Sequence, residues 1–387
     1  MVLMNSEQII YMDHAAGTPV DPAVFHAMRP YFSDKFYNPS AGYLAARAVA
    51  ADIAESRSKA AHWLGSKPSE IIFTAGGTEA NNLAIQGIMA AFPDANLIIS
   101  SVEHDSVVRP AAYYEQCREV SVGRDGVINL KALEDAIDDN TVLISIIYAN
   151  NEIGTLQPLK SIAALVTKFR HERKKAGNKL PIYFHTDACQ AAAYLDLHVS
   201  SLGVDLMTLN GGKIYGPKQS GVLFVASHVN MQPLLRGGGQ ERNYRSGTEN
   251  VAGIVGFSAA LDLVQSRRHQ EVKRLKALQE LFYELIRRKM PAAKINGSIK
   301  RRTPNNVHIT LPGHDNERLM MALDEQGILC AAGSACSASS SESSHVLRAI
   351  GLSDEEARSS LRFSMGKSTD EQAVQRTVRD ISLILNS

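Results

Sequence analysis

The chain is 387 residues long, with 41 Lys and Arg against 40 Asp and Glu and a formal net charge of +1. That balance leaves no field that would by itself recruit nucleic acid or an anionic membrane, and the length points to two domains rather than one small core. No apolar stretch reaches the roughly 18 residues of a membrane span, and residues 1–12 lack the basic start and apolar run of a leader, so the sequence reads as a soluble, cytoplasmic protein.

Short apolar and β-branched runs at 71–74, 97–101, 142–148, 182–185, 206–209 and 222–225 alternate with helical patterns. This α/β alternation predicts a mostly parallel sheet covered by flanking helices. The runs show little in/out alternation, as strands buried on both faces should. Ligands of such sheets bind beyond the carboxyl ends of the strands, so chemistry is expected in the residues that follow each run. After about residue 262 the texture changes to a charged helical stretch over 265–289, a strand over 305–311 and a helix from Asp315. The expected organisation is a large domain over 13–262 and a smaller α/β domain over 263–387, with residues 1–12 packing on the smaller one. Lys300, Arg301 and Arg302 fall in a turn and read as a solvated basic loop. The serine-rich stretch 334–344 reads as a loop inside a domain rather than a linker.

The four cysteines, Cys117, Cys189, Cys330 and Cys336, are too few for a disulfide framework and contain no Cys-x-x-Cys pair. No spacing of His, Cys or acidic residues suggests a metal site.

Three elements at strand ends carry chemistry when taken together. Ala75-Gly76-Gly77-Thr78-Glu79 follows the first run and opens a helix. Glycines and free N–H groups favour a phosphate there, although an ordinary strand-to-helix turn has the same form. Asp187, in His185-Thr186-Asp187-Ala188, is placed to hold a ring nitrogen protonated or equally to cap a helix near Gln190. Asn210-Gly211-Gly212-Lys213 sets a lysine at a third strand end. Jointly they spell a phosphate cradle, a pyridinium partner and a Schiff-base amine.

At these residues the chain resembles the cysteine desulfurases of class V aminotransferase type. The matching stretches include Met12-Asp13-His14-Ala15-Ala16-Gly17-Thr18-Pro19, Ala75-Gly76-Gly77-Thr78-Glu79-Ala80-Asn81-Asn82, Asn150-Asn151-Glu152-Ile153-Gly154 and His185-Thr186-Asp187-Ala188-Cys189-Gln190. They continue through Lys213-Ile214-Tyr215-Gly216-Pro217-Lys218, Arg245-Ser246-Gly247-Thr248, Gly333-Ser334-Ala335-Cys336-Ser337 and Ser360-Leu361-Arg362-Phe363-Ser364. The resemblance implies a fold-type-I pyridoxal-phosphate enzyme with a mostly parallel, seven-stranded type of sheet, acting as a homodimer. Its implied reaction turns L-cysteine into L-alanine and leaves the sulfur as a persulfide on the enzyme, for an acceptor protein that the sequence does not name.

The same resemblance assigns roles. Lys213 carries pyridoxal 5'-phosphate and removes the substrate α-proton, Asp187 pairs with the pyridine nitrogen, and His104 stacks over the ring. Gln190 and Asn151 would hydrogen-bond the phenolic oxygen, Gly77 and Thr78 the phosphate, and Thr248 the phosphate of the neighbouring subunit. Arg362, with Asn151, would grip the substrate carboxylate, and Cys336 would take the sulfur. Cys189 is the rival nucleophile; Cys117 and Cys330 read as structural or incidental. A selenocysteine lyase would use the same residues, and a catalytically silent sulfur-relay protein on this fold is the reading from another class.

The chain departs from the family pattern just before the lysine, where Ser-x-His-Lys is usual and Asn210-Gly211-Gly212-Lys213 stands instead. Asn210 keeps an amide donor for the phosphate and Gly212 offers none, so weaker cofactor binding is expected, and Gly212→His is expected to tighten it. A histidine usual soon after Asn38-Pro39-Ser40 is absent, with Tyr43 nearby. The chain also stops at Ser387 without the tail that docks iron–sulfur scaffolds, which puts a dedicated scaffold partner in doubt.

Overall fold

The computed structural model describes residues 9–332 and 343–386. β1 (Ile10–Tyr11) opens the described chain. It is followed by β2 (Ile71–Thr74), β3 (Asn96–Ser100), β4 (Cys117–Val120), β5 (Thr141–Ser145), β6 (Tyr183–Asp187), β7 (Leu206–Asn210) and β8 (Gly221–Val225). β2 to β8 form one seven-stranded sheet in the order β2-β8-β7-β6-β5-β3-β4. The steps β7-β6-β5-β3-β4 are parallel, while β8 runs antiparallel to both β7 and β2. Connection length explains the reversal. The helix Leu159–Ala176 lies between β5 and β6, as a parallel crossover needs, whereas only residues 211–220 join β7 to β8. That short return carries Lys213.

Every residue of β2, β3, β5, β6 and β8 is buried, so both faces are covered; the middles of β2, β3, β5 and β8 are apolar, while β6 ends in the buried polar residues His185, Thr186 and Asp187. β4 is the exception. It pairs only with β3 at the sheet edge, and its Arg118 and Glu119 face solvent. The run expected over 142–148 leaves the regular ladder after Ser145, although Ile146 and Tyr148 still donate single backbone bonds to β6 carbonyls at 3.0 and 2.9 Å.

Beyond the large sheet come β9 (Lys294–Ile295), β10 (Asn306–Thr310), β11 (Ile328–Leu329) and β12 (Ser360–Ser364). β12-β10-β9 is an antiparallel sheet, and β1 pairs in parallel with β11. Helix Arg268–Lys289 packs on it through Leu275, Leu278, Phe282 and Ile286, with Phe282 and Phe363 ring centroids 5.3 Å apart. Each such fully buried Phe contributes roughly 1.5–3 kcal/mol of apolar burial. After β1 the chain passes along β12, where His14 N–H donates to the Ser364 carbonyl at 3.1 Å. This contact brings Arg362 of β12 toward the large sheet. Residue 262 falls within the helix Val251–Ser266.

One expectation fails. Lys300 and Arg301 are exposed, but Arg302 is buried at 6 % exposure, so the three residues are not one solvated basic loop. The Arg302 guanidinium is drawn under the turn by the carbonyls of Asn296 and Ser298, which it satisfies as a buried donor. Among the described residues no helix is long and apolar enough to cross a membrane.

Candidate active site

Three strand ends meet at one cavity. β2 hands over to the helix Gly77–Ala91 through Gly76, whose φ of +132° is open to glycine alone. No side chain caps this helix end, and Gly77 lies so near Cys189 that a Cβ there would stand 2.7 Å from the sulfur. The first turn therefore presents bare backbone at a positive dipole end, a site suited to a phosphate.

At the end of β6, Asp187 is 4 % exposed. Its Oδ1 accepts the Cys189 N–H at 2.9 Å and its Oδ2 accepts Asn81 Nδ2 at 2.7 Å. Residues 189–194 form turns, so the alternative of a capped helix near Gln190 reduces to this single turn bond. Asn81 also donates to Ser106 Oγ at 2.8 Å, and Ser106 Oγ lies 2.8 Å from His104 Nδ1. One buried network thus orients both Asp187 and His104. Sequence reasoning missed Asn81 and Ser106 as orienting residues; the available signal was a polar side chain on the buried face of an otherwise apolar helix.

β7 ends at Asn210, whose side chain caps the turn Gly211–Lys213 by accepting the Gly212 N–H at 3.0 Å. Lys213 Nζ donates to the carbonyls of Ala15 and Ala16 at 2.8 and 2.7 Å. Gln190 Nε2 donates to the same Ala15 carbonyl at 2.9 Å. The segment after β1 therefore forms one wall of the site.

Arg362 is 2 % exposed. Its Nη2 pairs with Asp13 Oδ1 at 2.7 Å and its Nη1 donates to the Asn151 carbonyl at 2.9 Å. Its Nε is buried without a partner, as is Asn151 Oδ1. Unsatisfied buried polar atoms are rare and costly, so two at one cavity mark where a polar ligand belongs.

The cavity is lined by Gly77, Thr78, His104, Asn151, Asp187, Gln190, Asn210, Lys213 and Arg362, with Cys189, Ser106 and Ile147. It holds about 560 Å³ of space, part of it open to solvent. Thr248 does not line it. Thr248 is exposed, in a segment tied to the helix Gly77–Ala91 by the Arg245–Glu79 ion pair at 2.9 Å. Cys336 lies outside the described residues. The chain on either side is anchored close by: Ala331 bridges to Arg362, Ser344 Oγ donates to Glu152 Oε2 at 2.6 Å, and His345 Nε2 contacts the Glu103 carbonyl at 2.9 Å.

The other cysteines are free thiols whose surroundings disfavour the thiolate. Burial, then the Asp187 carboxylate, raises Cys189 well above the usual thiol value. Burial pushes Cys330 up to about 12 and Cys117 up to about 11. An amine, a carboxylate, an uncapped helix end and unsatisfied donors and acceptors around one cavity suit a phosphorylated aromatic aldehyde bound through the amine.

Beneath the cavity, Glu103 accepts from Ser100 Oγ and from the Ile147 N–H, the latter at 2.8 Å. Burial pushes its carboxyl up to about 8, against the opposing Ser100 bond. Its folded value lies above the ordinary 4.5, so its stabilising contribution is complete below about pH 4.5 and is lost as pH rises through about 8. Glu103→Gln removes that loss. Its melting temperature relative to the unsubstituted protein is expected to climb between about pH 5 and about pH 9; parallel curves for the two proteins would contradict this.

Residues 10–377 match the family described as Aminotransferase class-V. The chain is 37 % identical over 382 residues to the cysteine desulfurase IscS of Dictyoglomus turgidum, covering 97 % of this chain and 94 % of that protein. A solved NifS-like protein superposes with a TM-score of 0.89 at 29 % identity, over 98 % of this chain and 99 % of the other. Another solved structure, described as SspA in complex with cysteine, superposes with a TM-score of 0.78 at 35 % identity, over 92 % and 98 % of the two chains. On these matches across nearly its whole length, the protein belongs to the aminotransferase class-V family.

Proposed function

We propose that this protein is a pyridoxal-phosphate-dependent cysteine desulfurase, converting L-cysteine to L-alanine and passing the sulfur to its own Cys336. The observation that carries this is the convergence of Lys213, Asp187, the Gly77 helix end and Arg362 on one cavity. Bound through Lys213, the cofactor supplies an electron sink that labilises bonds at the substrate Cα. Asp187, fixed by Asn81 and the Cys189 N–H, holds the ring nitrogen protonated and so deepens that sink. When the cofactor is bound, His104, oriented through Ser106, would cover the ring, Gln190 and Asn151 would hydrogen-bond its phenolic oxygen, and Gly77, Thr78 and Asn210 would hold the phosphate.

Arg362 receives the substrate carboxylate, using the buried Nε that no protein group satisfies. Lys213 Nζ takes the α-proton and returns a proton to Cα once the sulfur has left. The Cys336 thiolate attacks the substrate sulfur: the Cβ–S bond breaks, an S–S bond forms, and Cβ gains a proton to become the alanine methyl. Sulfur is oxidised and carbon reduced, so no outside oxidant is required. An acceptor protein then takes the persulfide sulfur.

The same proposal includes a division at 262/263 and a homodimer. Phe25, Phe32, Phe36, Tyr43 and Leu44 are exposed on neighbouring segments, an apolar surface suited to a second subunit, and exposed Thr248 is free to serve that subunit's phosphate. The free thiols Cys117, Cys189 and Cys330 suit a reducing, cytoplasmic compartment.

Arg362→Lys tests the substrate assignment while keeping a cation beside Asp13. Loss of the planar fork is expected to raise KM for L-cysteine by roughly 10- to 100-fold. Binding of cysteamine, which has no carboxylate, should be unchanged. Equal weakening of both ligands would place the carboxylate elsewhere.

A further inference from the structure

We propose that Lys218 and Gln219 complete the phosphate end of the cofactor site, supplying the donors that Gly212 lacks. This rests on Lys213 as the cofactor carrier. A second cavity shares Gly77, Thr78, Asn210 and Lys213 with the first and continues past Gly212 to Lys218 and Gln219. A Cβ on Gly212 would stand 3.6 Å from Lys218 Cγ, in ordinary contact, so the lysine stem lies beside the space that a longer side chain at 212 would enter. Lys218 Nζ reaches the Thr18 carbonyl at 3.4 Å, a long bond for an ammonium with three hydrogens to donate. Thr18 is itself bound to the Gly212 carbonyl through its N–H at 3.0 Å and its hydroxyl at 3.1 Å, which anchors the ammonium to the same turn.

Gln219 adds an independent observation. Its φ is +57°, a left-handed conformation that disfavours any residue with a Cβ, and the residue lines this cavity. Backbone strain kept in a non-glycine residue gathers at binding sites, where the side chain has a use. Asn210 points the same way: its Oδ1 is engaged by the Gly212 N–H, and its Nδ2 lies 3.4 Å from where a Gly77 Cβ would be. Lys218, Gln219 and Asn210 thus line one cavity with a helix end that no side chain caps.

The test is titration of cofactor-free protein with pyridoxal 5'-phosphate and, separately, with pyridoxal, which carries an alcohol in place of the phosphate. Lys218→Met is expected to raise Kd for pyridoxal 5'-phosphate roughly 10-fold or more, the scale of one charge-assisted hydrogen bond, and to leave pyridoxal binding unchanged. Gly212→His should restore most of that loss in the Lys218→Met background and add less to the unsubstituted protein, where the lysine already acts. Gln219→Gly should raise the melting temperature by relieving strain and yet weaken phosphate-dependent binding, a pairing that a purely structural role would not give. Unchanged Kd values for pyridoxal 5'-phosphate in Lys218→Met and Gln219→Gly overturn the proposal. Failure of the unsubstituted protein to bind pyridoxal 5'-phosphate overturns the reading of Lys213 on which it stands.

Discussion

In Lys213→Ala the borohydride-reducible link between protein and cofactor is expected to be absent, and turnover of L-cysteine to fall by roughly 10²- to 10⁴-fold, the scale of losing a positioned acid–base group. The lysine follows the end of β7, and its amine donates to the carbonyls of Ala15 and Ala16. Two carbonyls would lose a donor, but the residue is only half-buried, so water can replace it and the fold should persist. Intact mass after borohydride treatment, read beside the far-ultraviolet circular dichroism, separates loss of the link from loss of structure. A reducible adduct that survives in Lys213→Ala would move the carrier to another amine, of which Lys218 is the nearest in sequence.

Cys336→Ser is expected to keep the cofactor and to bind L-cysteine while persulfide formation falls on the order of 10³-fold or more, as for loss of a covalent nucleophile. Sulfur transfer needs a thiolate, and a thiol held at about 12, as Cys330 is, supplies almost none near neutral pH. Cys189 sits against Gly77 and beside the carboxylate of Asp187, which opposes a second negative charge there. Isotope-labelled sulfur from cysteine, located by peptide mapping, decides between the two. Label on Cys189 in the unsubstituted protein would reverse the assignment.

The legible parts of this molecule are those that local composition decides. β2, β7 and β8 announce themselves as short, largely apolar runs because both faces of the sheet are covered, and Gly77, Asp187 and Lys213 stand out because each stands at or just past a strand end. β4 was hidden because an edge strand needs no apolar run; its Cys-Arg-Glu-Val stretch becomes a strand only through pairing with β3. Arg302 was misread for a related reason. Three consecutive basic residues look solvated, and only the folded turn brings the carbonyls of Asn296 and Ser298, six and four residues earlier, around one of them. In the site, the residues that would touch the cofactor were legible by motif. The residues that aim them, Asn81 and Ser106, and the Asp13 partner of Arg362 emerge only when the helix Gly77–Ala91 and the segment after β1 are brought to the same cavity.

The central claim is tested most directly by giving purified protein reconstituted with pyridoxal 5'-phosphate L-cysteine and a thiol reductant, and measuring L-alanine and sulfide together. Equimolar alanine and sulfide, formed by the unsubstituted protein and lost in both Lys213→Ala and Cys336→Ser, is the expected result. Cofactor-loaded protein that releases no alanine from L-cysteine would contradict the account.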